Sequence, residues 1–398
     1  MNFIASSPSL ELSGANVLLA RLFSGFIEAG HPADWWVTSH QPGADCQWLT
    51  GLGLKFGSIP ATPVGAVGRR QRILIEAIRA SCPCVYFPNF DFDMLWAVPA
   101  MPLDCRTVFI VHCDDPVYYE AIEARGEVMD AIVCVSRLLA ERARQRWPKL
   151  RDRIHHIPFG VAVPAVGESP SRHAPVIGTL EVVYCGRLAQ EQKRIGDLAE
   201  VILACHAQGL PIRFHIAGTG PDEVDFFTRV EGPMKAGNVI RHGLLANDQV
   251  SALLRRCHVF ILTSAYEGLP VSLLEAMAVG CVPVVTAVAS GIPEVVTDGV
   301  EGFIHPIGDV QSIVARLAEL AAFPSKLAIH SPRALERVLC GGYTRENCVR
   351  RYLELCENLI RNPKHGPVEK NPKSPPNYRL MQRLRLRLLR NRSTKSSA

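Results

Sequence analysis

The chain has 398 residues, 48% hydrophobic and 20% charged, a composition typical of a soluble globular protein long enough for two domains. The net charge of +5 is uneven, because residues 361–398 hold eleven Lys or Arg and one acidic residue, whereas residues 1–360 carry a net −5. A mildly acidic body gives no support to nucleic-acid binding.

Three features indicate a cytoplasmic protein. The first residues lack a basic head followed by an apolar run, so we expect no secretory signal. The longest nearly uncharged stretch, 271–290, is interrupted by Glu275, Gly280 and Pro283, so we predict a helix and a strand there and not a membrane span. The thirteen cysteines include no CxxC pair, which favours reduced thiols and no structural metal.

The first half alternates short apolar runs with amphipathic segments, as a parallel sheet with crossover helices does. After the first strand a loop holds Ser13 and Gly14, and a helix follows that ends at Gly30. The predicted strands are 3–6, 35–38, 84–87, 107–111, 131–135 and 154–160, and further helices are 69–80 and 138–147.

A segment rich in Pro, Gly and Ser, 163–175, separates this half from a second one with the same rhythm. We therefore predict an α/β protein with domains 1–165 and 166–343, a helix over 344–362 that packs back toward the first domain, and a tail over 363–398. The second half contains predicted strands 180–185, 213–217, 239–241, 259–262, 282–285 and 302–304, and helices 195–208 and one beginning near Asn247.

The stretch YEGLPVSLLEAMAVGCVPVV, residues 266–285, predicts a loop, a buried helix, a stop and a buried strand. Pro270 suits the first helical position and Gly280 the position just past the helix end. Glu275 is the one charge inside this apolar helix, and Glu267 precedes it in the loop. Peptide N–H groups at the helix start favour an anion. Two acids flanking an anion site suit a nucleotide sugar, although Glu275 paired with an Arg in a packed core is an open alternative.

Two cations follow the strand 180–185, in the segment GRLAQEQKRIGDL. Arg187 and Lys193 lie where the strand feeds a helix, and such turns border the ligand crevice of a doubly wound sheet. There they would stabilise the charge that develops on a departing nucleoside diphosphate. The alternative for both is an ordinary surface charge, which is what we predict for Arg194.

Five segments in order and spacing resemble the retaining GT-B glycosyltransferases of glycosyltransferase family 4. The second half carries the resemblance through CGRLAQEQKRIGDL, HIAGTGPDE, NVIRHGLL, YEGLPVSLLEAMAVG and ASGIPEVVTDGVEGFIHPIGD. The first half matches more loosely, and FGVA over 159–162 departs from the family's usual Asn-Gly-Val-Asp. The resemblance implies two Rossmann-like domains that face each other across a cleft.

The resemblance also implies roles for residues of the second domain. Glu275 would hold the ribose hydroxyls of the nucleotide and Glu267 would face the donor sugar. Arg187 and Lys193 would bind the diphosphate. The region around Leu245 would contact the base. Backbone groups at the helix start would bind sugar and phosphate, from Gly268, Leu269, Pro270 and Val271.

In the first domain, the resemblance implies that His112 lies near the donor sugar on the acceptor side, with a satisfied core histidine as the alternative. Gly14 would let its loop approach the phosphate. Asp114 and Asp115 follow His112 and suit either an acceptor contact or a helix cap.

The predicted function is sugar transfer from a nucleotide-diphosphate sugar to a glycan or lipid-linked acceptor, with retention of configuration and without a metal or other cofactor. A nucleotide-sugar epimerase or hydrolase, and a catalytically silent sugar-nucleotide binder, are the alternatives. The tail segment 379–392 predicts contact with an anionic membrane surface on the cytoplasmic side, with a solvated tail as the alternative.

Overall fold

The computed structural model describes residues 1–10, 13–38, 49, 53–59, 67–164 and 178–364. Two parallel sheets with helices around them form two lobes, which confirms the predicted α/β architecture. The predicted boundary at 165/166 and the tail segment 379–392 lie outside the described residues.

The first lobe contains a seven-stranded sheet, all of whose recorded strand pairs are parallel. Its strands are β1 Asn2–Ser7, β2 Ala33–Val37, β3 Lys55–Ser58, β4 Cys84–Pro88, β5 Cys105–Val111, β6 Ala131–Cys134 and β7 Ile154–His156. Their spatial order is β3-β2-β1-β4-β5-β6-β7, so the chain reverses direction across the sheet between β1 and β4. A ligand crevice is expected at that point, outside the carboxyl ends of the strands.

The second lobe contains a six-stranded parallel sheet in the order β10-β9-β8-β11-β12-β13. Its strands are β8 Leu180–Cys185, β9 Ile212–Ala217, β10 Val239–Gly243, β11 Val259–Leu262, β12 Val282–Thr286 and β13 Phe303–His305. The reversal here falls between β8 and β11, which are direct neighbours. The loops that follow these two strands carry most of the predicted site residues.

Helices connect the strands of both lobes. Those of the first lobe are α1 Gly14–Glu28, α2 Val67–Ser81, α3 Pro116–Arg125 and α4 Arg137–Arg146. Those that follow are α5 Gln190–Lys193, α6 Ile195–Ala207, α7 Glu223–Arg229, α8 Glu231–Lys235, α9 Asn247–Arg256, α10 Val271–Ala278, α11 Ile292–Val295, α12 Val310–Ala322, α13 Ser325–Cys340 and α14 Arg345–Arg361. Short 3₁₀ helices span Met94–Ala100, Gly126–Val128 and Pro148–Arg153. None of the helices in the described ranges has the length and apolar character needed to cross a bilayer.

The last helix, α14, lies against the first lobe. A side chain on Gly25 of α1 would overlap Val349, so the two helices pack at close range. The ring of Tyr352 lies 6.3 Å from that of Phe87 in β4. Strand β1 and helix α14 therefore belong to the same lobe.

Some elements differ from the predictions. The strand predicted over 154–160 ends at His156, because the chain then leaves β6 and bonds to the residues just before α14, where Val161 N donates to the Tyr343 carbonyl at 2.9 Å. Strand β3 was not predicted, since its mostly exposed edge residues, KFGS, carry no apolar pattern. Pro270 caps α10 from outside the helix, with extended backbone, and is not its first residue as predicted. Gly280 has a φ of +76° two residues past the helix end, so the predicted stop is confirmed.

Candidate active site between the two lobes

Glu267 and Lys193 form a buried ion pair at the carboxyl edge of the second sheet. Glu267 lies in the loop between β11 and α10 and is only 5% exposed. Its Oε1 accepts a hydrogen bond from Lys193 Nζ at 2.5 Å and from Ser264 Oγ at 2.6 Å. Lys193 ends α5, and Thr263 Oγ1 donates to the Lys193 carbonyl at 2.9 Å, which ties the two loops together. The sequence predicted both residues at this edge of the sheet but did not predict that they pair with each other.

The first lobe meets this loop through backbone contact. Cys113 and Gly268 form an isolated antiparallel bridge between the lobes. A Cβ on Gly268 would lie 1.9 Å from the His112 carbonyl oxygen, so only glycine fits there. The end of β5 is therefore held directly against the Glu267 loop.

His112 follows β5 and is buried, at 7% exposure. Its Nε2 lies 2.8 Å from Asn89 Oδ1, and its ring stacks on Phe159 with centroids 6.1 Å apart. Burial lowers the pKa of His112 to about 3, so the ring is neutral near pH 7. Its Nδ1 is buried and has no hydrogen-bond partner among the described residues. The alternative from the sequence was a core histidine with its hydrogen bonds satisfied. Among the described residues, Nε2 has a partner and Nδ1 has none.

Glu275 of α10 forms an ion pair with Arg21 of α1, across the cleft. Both side chains are about one-fifth exposed, at 21% and 20%. The sequence alternative for Glu275 was an Arg partner in a packed core. The partner is an Arg, but it belongs to the opposite lobe and the carboxylate keeps some contact with solvent.

Arg187 lies on the turn after β8, exposed and with no side-chain ion pair within the described part of the chain. Tyr184 Oη donates to its carbonyl at 2.8 Å, which fixes the backbone while the guanidinium is left to solvent. Strands β8 and β11 are adjacent, so Arg187 and Glu267 share one edge of the sheet. Arg194, predicted as a surface charge, pairs with Asp197 at 2.6 Å.

The other predicted binding residues lie on both lobes. Gly14 is the first residue of α1, capped by Ser13, and the space around its Cα is open. Leu269 is buried, and α10 begins at Val271, so its first N–H groups and the helix dipole are available to an anion. Leu245 follows β10 at the outer edge of the second sheet, two strands away from β8.

The two aspartates after His112 have structural partners. Asp115 caps α3 by accepting a hydrogen bond from Val117 N at 2.9 Å, as the cap alternative predicted. Asp114 pairs with Arg142 and accepts from Tyr119 Oη. Within the described ranges, no group of three or more His, Cys, Asp or Glu is arranged to hold a metal ion.

Two further residues make contacts at the site that were not predicted from the sequence. Glu294, inside the motif ASGIPEVV, accepts hydrogen bonds from the N–H groups of Arg137 and Leu138 at 2.9 and 3.0 Å, so it caps a first-lobe helix from the second lobe. Asn89 follows β4 and supports His112. Position at a strand end was the available signal for Asn89, while no local pattern marks Glu294 as a contact between lobes.

Known glycosyltransferases resemble part of this chain in sequence and most of it in fold. Residues 179–322 match the family model described as Glycosyl transferases group 1. The chain is 38% identical over 148 residues to the putative colanic acid biosynthesis glycosyltransferase WcaL of Salmonella typhimurium, covering 36% of each chain. It is 33% identical over 227 residues to WcaL of Escherichia coli, covering 55% of this chain and 54% of that one. These matches therefore span between about a third and about half of the relatives' length.

The fold is similar over nearly the whole chain to that of the pneumococcal O-GlcNAc transferase GtfA, solved in complex with UDP and GlcNAc. The TM-score is 0.74 at 12% identity, with 91% of this chain and 99% of that chain covered, which bears on the fold alone. Residues 179–322 are thus a domain of the group 1 glycosyl transferases, carried by a chain with the GT-B fold.

Proposed function

We propose that this protein transfers a sugar from a nucleotide-diphosphate sugar to a hydroxyl group of a glycan or lipid-linked acceptor. The observation that carries the proposal is the backbone contact of His112 and Cys113 with Gly268, which holds the end of β5 against the loop of the buried Glu267–Lys193 pair. A carboxylate and two cations at one sheet edge suit a ligand with sugar hydroxyls and a diphosphate. The WcaL relatives carry a polysaccharide name, which supports a growing polysaccharide acceptor, and UDP is the first nucleotide to test because the similarly folded GtfA was solved with it.

The proposed reaction requires the protein to stabilise the negative charge of the leaving diphosphate. As the bond between the anomeric carbon and the phosphate oxygen breaks, its electron pair goes to the diphosphate. Arg187, Lys193 and the N-terminus of α10 offer positive potential at one sheet edge for that charge. The acceptor oxygen bonds to the anomeric carbon, and its proton passes to the departing phosphate oxygen. Attack from the face that the diphosphate leaves gives retention, with the protein cations in the place of a metal.

Lys193 has a second role in this proposal. Its ammonium group is hydrogen-bonded to Glu267 and is largely buried, so it is held in one place before any ligand arrives. A preplaced charge stabilises a transition state without reorganisation during the reaction. Glu267 is then the residue that orients the cation as well as a neighbour of the sugar.

The experiment is a panel of uridine, guanosine and adenosine diphosphate sugars, screened first by thermal shift on the full chain. Each stabilising donor is then incubated with lipid-linked and soluble glycan acceptors, and the products are analysed by mass spectrometry and anomeric NMR. We expect a new glycoside with the donor's configuration in metal-chelated buffer. Isomerised donor would favour the epimerase, free sugar alone the hydrolase, and binding without products the silent binder, and each of these outcomes contradicts the proposal.

A further inference from the structure

A chain of buried hydrogen bonds lies behind His112. Asn16 Nδ2 donates to the Ser9 carbonyl at 3.2 Å, and Asn89 Nδ2 donates to Asn16 Oδ1 at 2.9 Å. Asn89 Oδ1 lies 2.8 Å from His112 Nε2. Asn16 and Asn89 are 6% and 2% exposed, so neither amide can exchange these partners freely for water.

The Ser9 carbonyl determines which atom donates and which accepts in each of these hydrogen bonds. A backbone carbonyl can only accept, so Ser9 requires the NH₂ group of Asn16 and turns its oxygen toward Asn89. Asn89 must then present its own NH₂ group to Asn16 and its oxygen to the histidine. Ser7 Oγ reinforces this orientation, because it accepts from both Trp35 Nε1 at 3.0 Å and Asn89 Nδ2 at 3.3 Å. The imidazole is left with one compatible form, in which Nε2 carries the proton.

We propose that Asn89, supported by Asn16, is a positioning residue that fixes His112 as the Nε2–H tautomer, so that Nδ1 can only accept a hydrogen bond from the ligand. Nδ1 is buried and has no partner among the described residues, and such an acceptor is costly unless a donor reaches it. A hydroxyl or amide N–H of a ligand satisfies it, whereas a carbonyl or phosphate oxygen is repelled. Identifying the ligand as a sugar with a free hydroxyl rests on the proposed function.

The direct test is the two-bond ¹H–¹⁵N NMR spectrum of full-length protein labelled at histidine, with the His112 signals assigned by their loss in His112→Gln. The wild-type protein should show a bare Nδ1 and a protonated Nε2 across neutral pH. Asn89→Leu removes the acceptor, so the two nitrogen shifts should move toward each other as the tautomers exchange. Asn89→Asp keeps an acceptor beside Nε2, so Nε2 should stay protonated, but its negative charge raises the pKa of the ring and should add a proton at Nδ1 as the pH falls.

A matched control separates the effect from general loss of an asparagine. Asn238 Oδ1 lies 2.9 Å from His206 Nδ1 on the exposed surface of the second lobe, so Asn238→Leu should move only the His206 signals. If Asn89→Leu does not fold, Asn16→Leu, which releases the Asn89 amide without touching the ring, should give a smaller shift in the same direction. A wild-type spectrum with a protonated Nδ1, or unchanged His112 shifts in both variants, overturns the proposal.

Kinetics give the functional consequence. Asn89→Leu should lower kcat of sugar transfer roughly tenfold. The imidazole of His112 loses a buried hydrogen bond, and a smaller fraction of it has an unprotonated Nδ1 that can accept from the ligand. Asn89→Asp should transfer sugar faster at high pH, where Nδ1 is bare, than at low pH, and Asn238→Leu should leave the rate unchanged. The NMR readout needs no turnover, so a fixed tautomer in a protein without transferase activity would contradict the proposed function alone. Normal transfer with unchanged shifts in Asn89→Leu would contradict this proposal alone.

Discussion

Arg21 in α1 of the first lobe pairs with Glu275 in α10 of the second lobe, 254 residues away in sequence. The family resemblance implies that Glu275 binds the ribose hydroxyls of a nucleotide, and the ion pair engages one of its carboxylate oxygens, Oε1. Arg21 Nη1 is buried without a hydrogen-bond partner among the described residues, so the guanidinium is only half satisfied by this contact. The pair therefore joins the lobes at the point where a ribose is expected.

The first prediction separates the two partners by nucleotide binding. Glu275→Ala should weaken UDP binding at least tenfold, because ribose hydroxyls lose a charged acceptor, a contact worth roughly 1.5–3 kcal/mol. Arg21→Ala should bind UDP as tightly as the wild type or more tightly, since the carboxylate is released for the ribose. Isothermal titration calorimetry measures both, with Arg350→Ala, an exposed arginine on α14, as control. Equal loss in the two site variants would assign Glu275 to joining the lobes and not to the nucleotide.

The second prediction concerns the buried pair of Lys193 and Glu267. Lys193→Met should destabilise the protein by about 3–5 kcal/mol, because it leaves a buried carboxylate without its cation. Lys193→Met combined with Glu267→Gln removes both charges and should regain most of that stability. Neither the single nor the double variant should transfer sugar, because both lack the Lys193 cation.

Urea denaturation followed by circular dichroism measures the stability, and product formation measures the transfer. The surface pair of Arg350 and Glu354 is a suitable control, because exposed pairs contribute less than about 1 kcal/mol. If Lys193→Met unfolds at the same urea concentration as the wild type, other donors satisfy Glu267 and the ion pair does not stabilise the fold.

The third prediction uses the exposure of Arg187. Arg187→Ala should change the free energy of unfolding by less than about 0.5 kcal/mol, because its guanidinium has no ion-pair partner in the described ranges. Transfer should nevertheless fall by roughly a hundredfold or more, which corresponds to about 2.7–4 kcal/mol of lost transition-state stabilisation. Arg187→Lys should restore part of the rate, since it returns the charge without the fork of donors. A near-normal rate in Arg187→Ala would make it an ordinary surface cation.

These residues show which parts of the site a sequence can predict. Apolar runs and chain punctuation locate the strand ends, so Arg187, Lys193 and Glu267 were placed on adjacent loops of one sheet. The end of α10 was also correct, because Gly280 needs the left-handed backbone that a helix stop uses. Pro270 was misplaced by one position, since proline fits both the cap and the first turn.

Contacts between the lobes could not be predicted in this way. Arg21 with Glu275, and Glu294 with the N-terminus of α4, join positions more than 150 residues apart that carry no shared pattern. The tautomer of His112 depends on Asn16 and Asn89, which come from two further segments. Local rules describe each element, whereas the site depends on how separate elements meet.

The fourth prediction tests the contact made by Glu294. Glu294→Ala should cost about 1–2 kcal/mol, because two N–H groups at the start of α4 lose a charged acceptor that complements the helix dipole. Glu294→Gln keeps one acceptor oxygen and should cost less. Small-angle scattering should show a larger radius of gyration for Glu294→Ala, since the lobes lose a contact. An unchanged radius together with the stability loss would limit Glu294 to a helix cap.

The fifth prediction follows from the buried, neutral ring of His112. Burial lowers its pKa from the ordinary 6.5 to about 3, so below pH 6.5 the unfolded chain takes up a proton at this site that the folded protein does not. The free energy of unfolding must therefore fall as the pH drops from 6.5 toward 3, and it is unaffected by this group above 6.5. At pH 5 the loss is about 2 kcal/mol, from 1.36 kcal/mol per pH unit.

His112→Gln removes this titration, so the stability of the wild type relative to the variant should decrease by about 2 kcal/mol between pH 7.5 and pH 5. Urea denaturation at both pH values measures it. His155 and His156, whose pKa values burial also lowers, are present in both proteins and cancel in the difference. His206→Gln, on the exposed surface, is the control for substitution as such. A difference independent of pH would mean that the His112 ring takes up its proton in the folded protein as readily as in the unfolded chain, and it would contradict a buried, neutral ring.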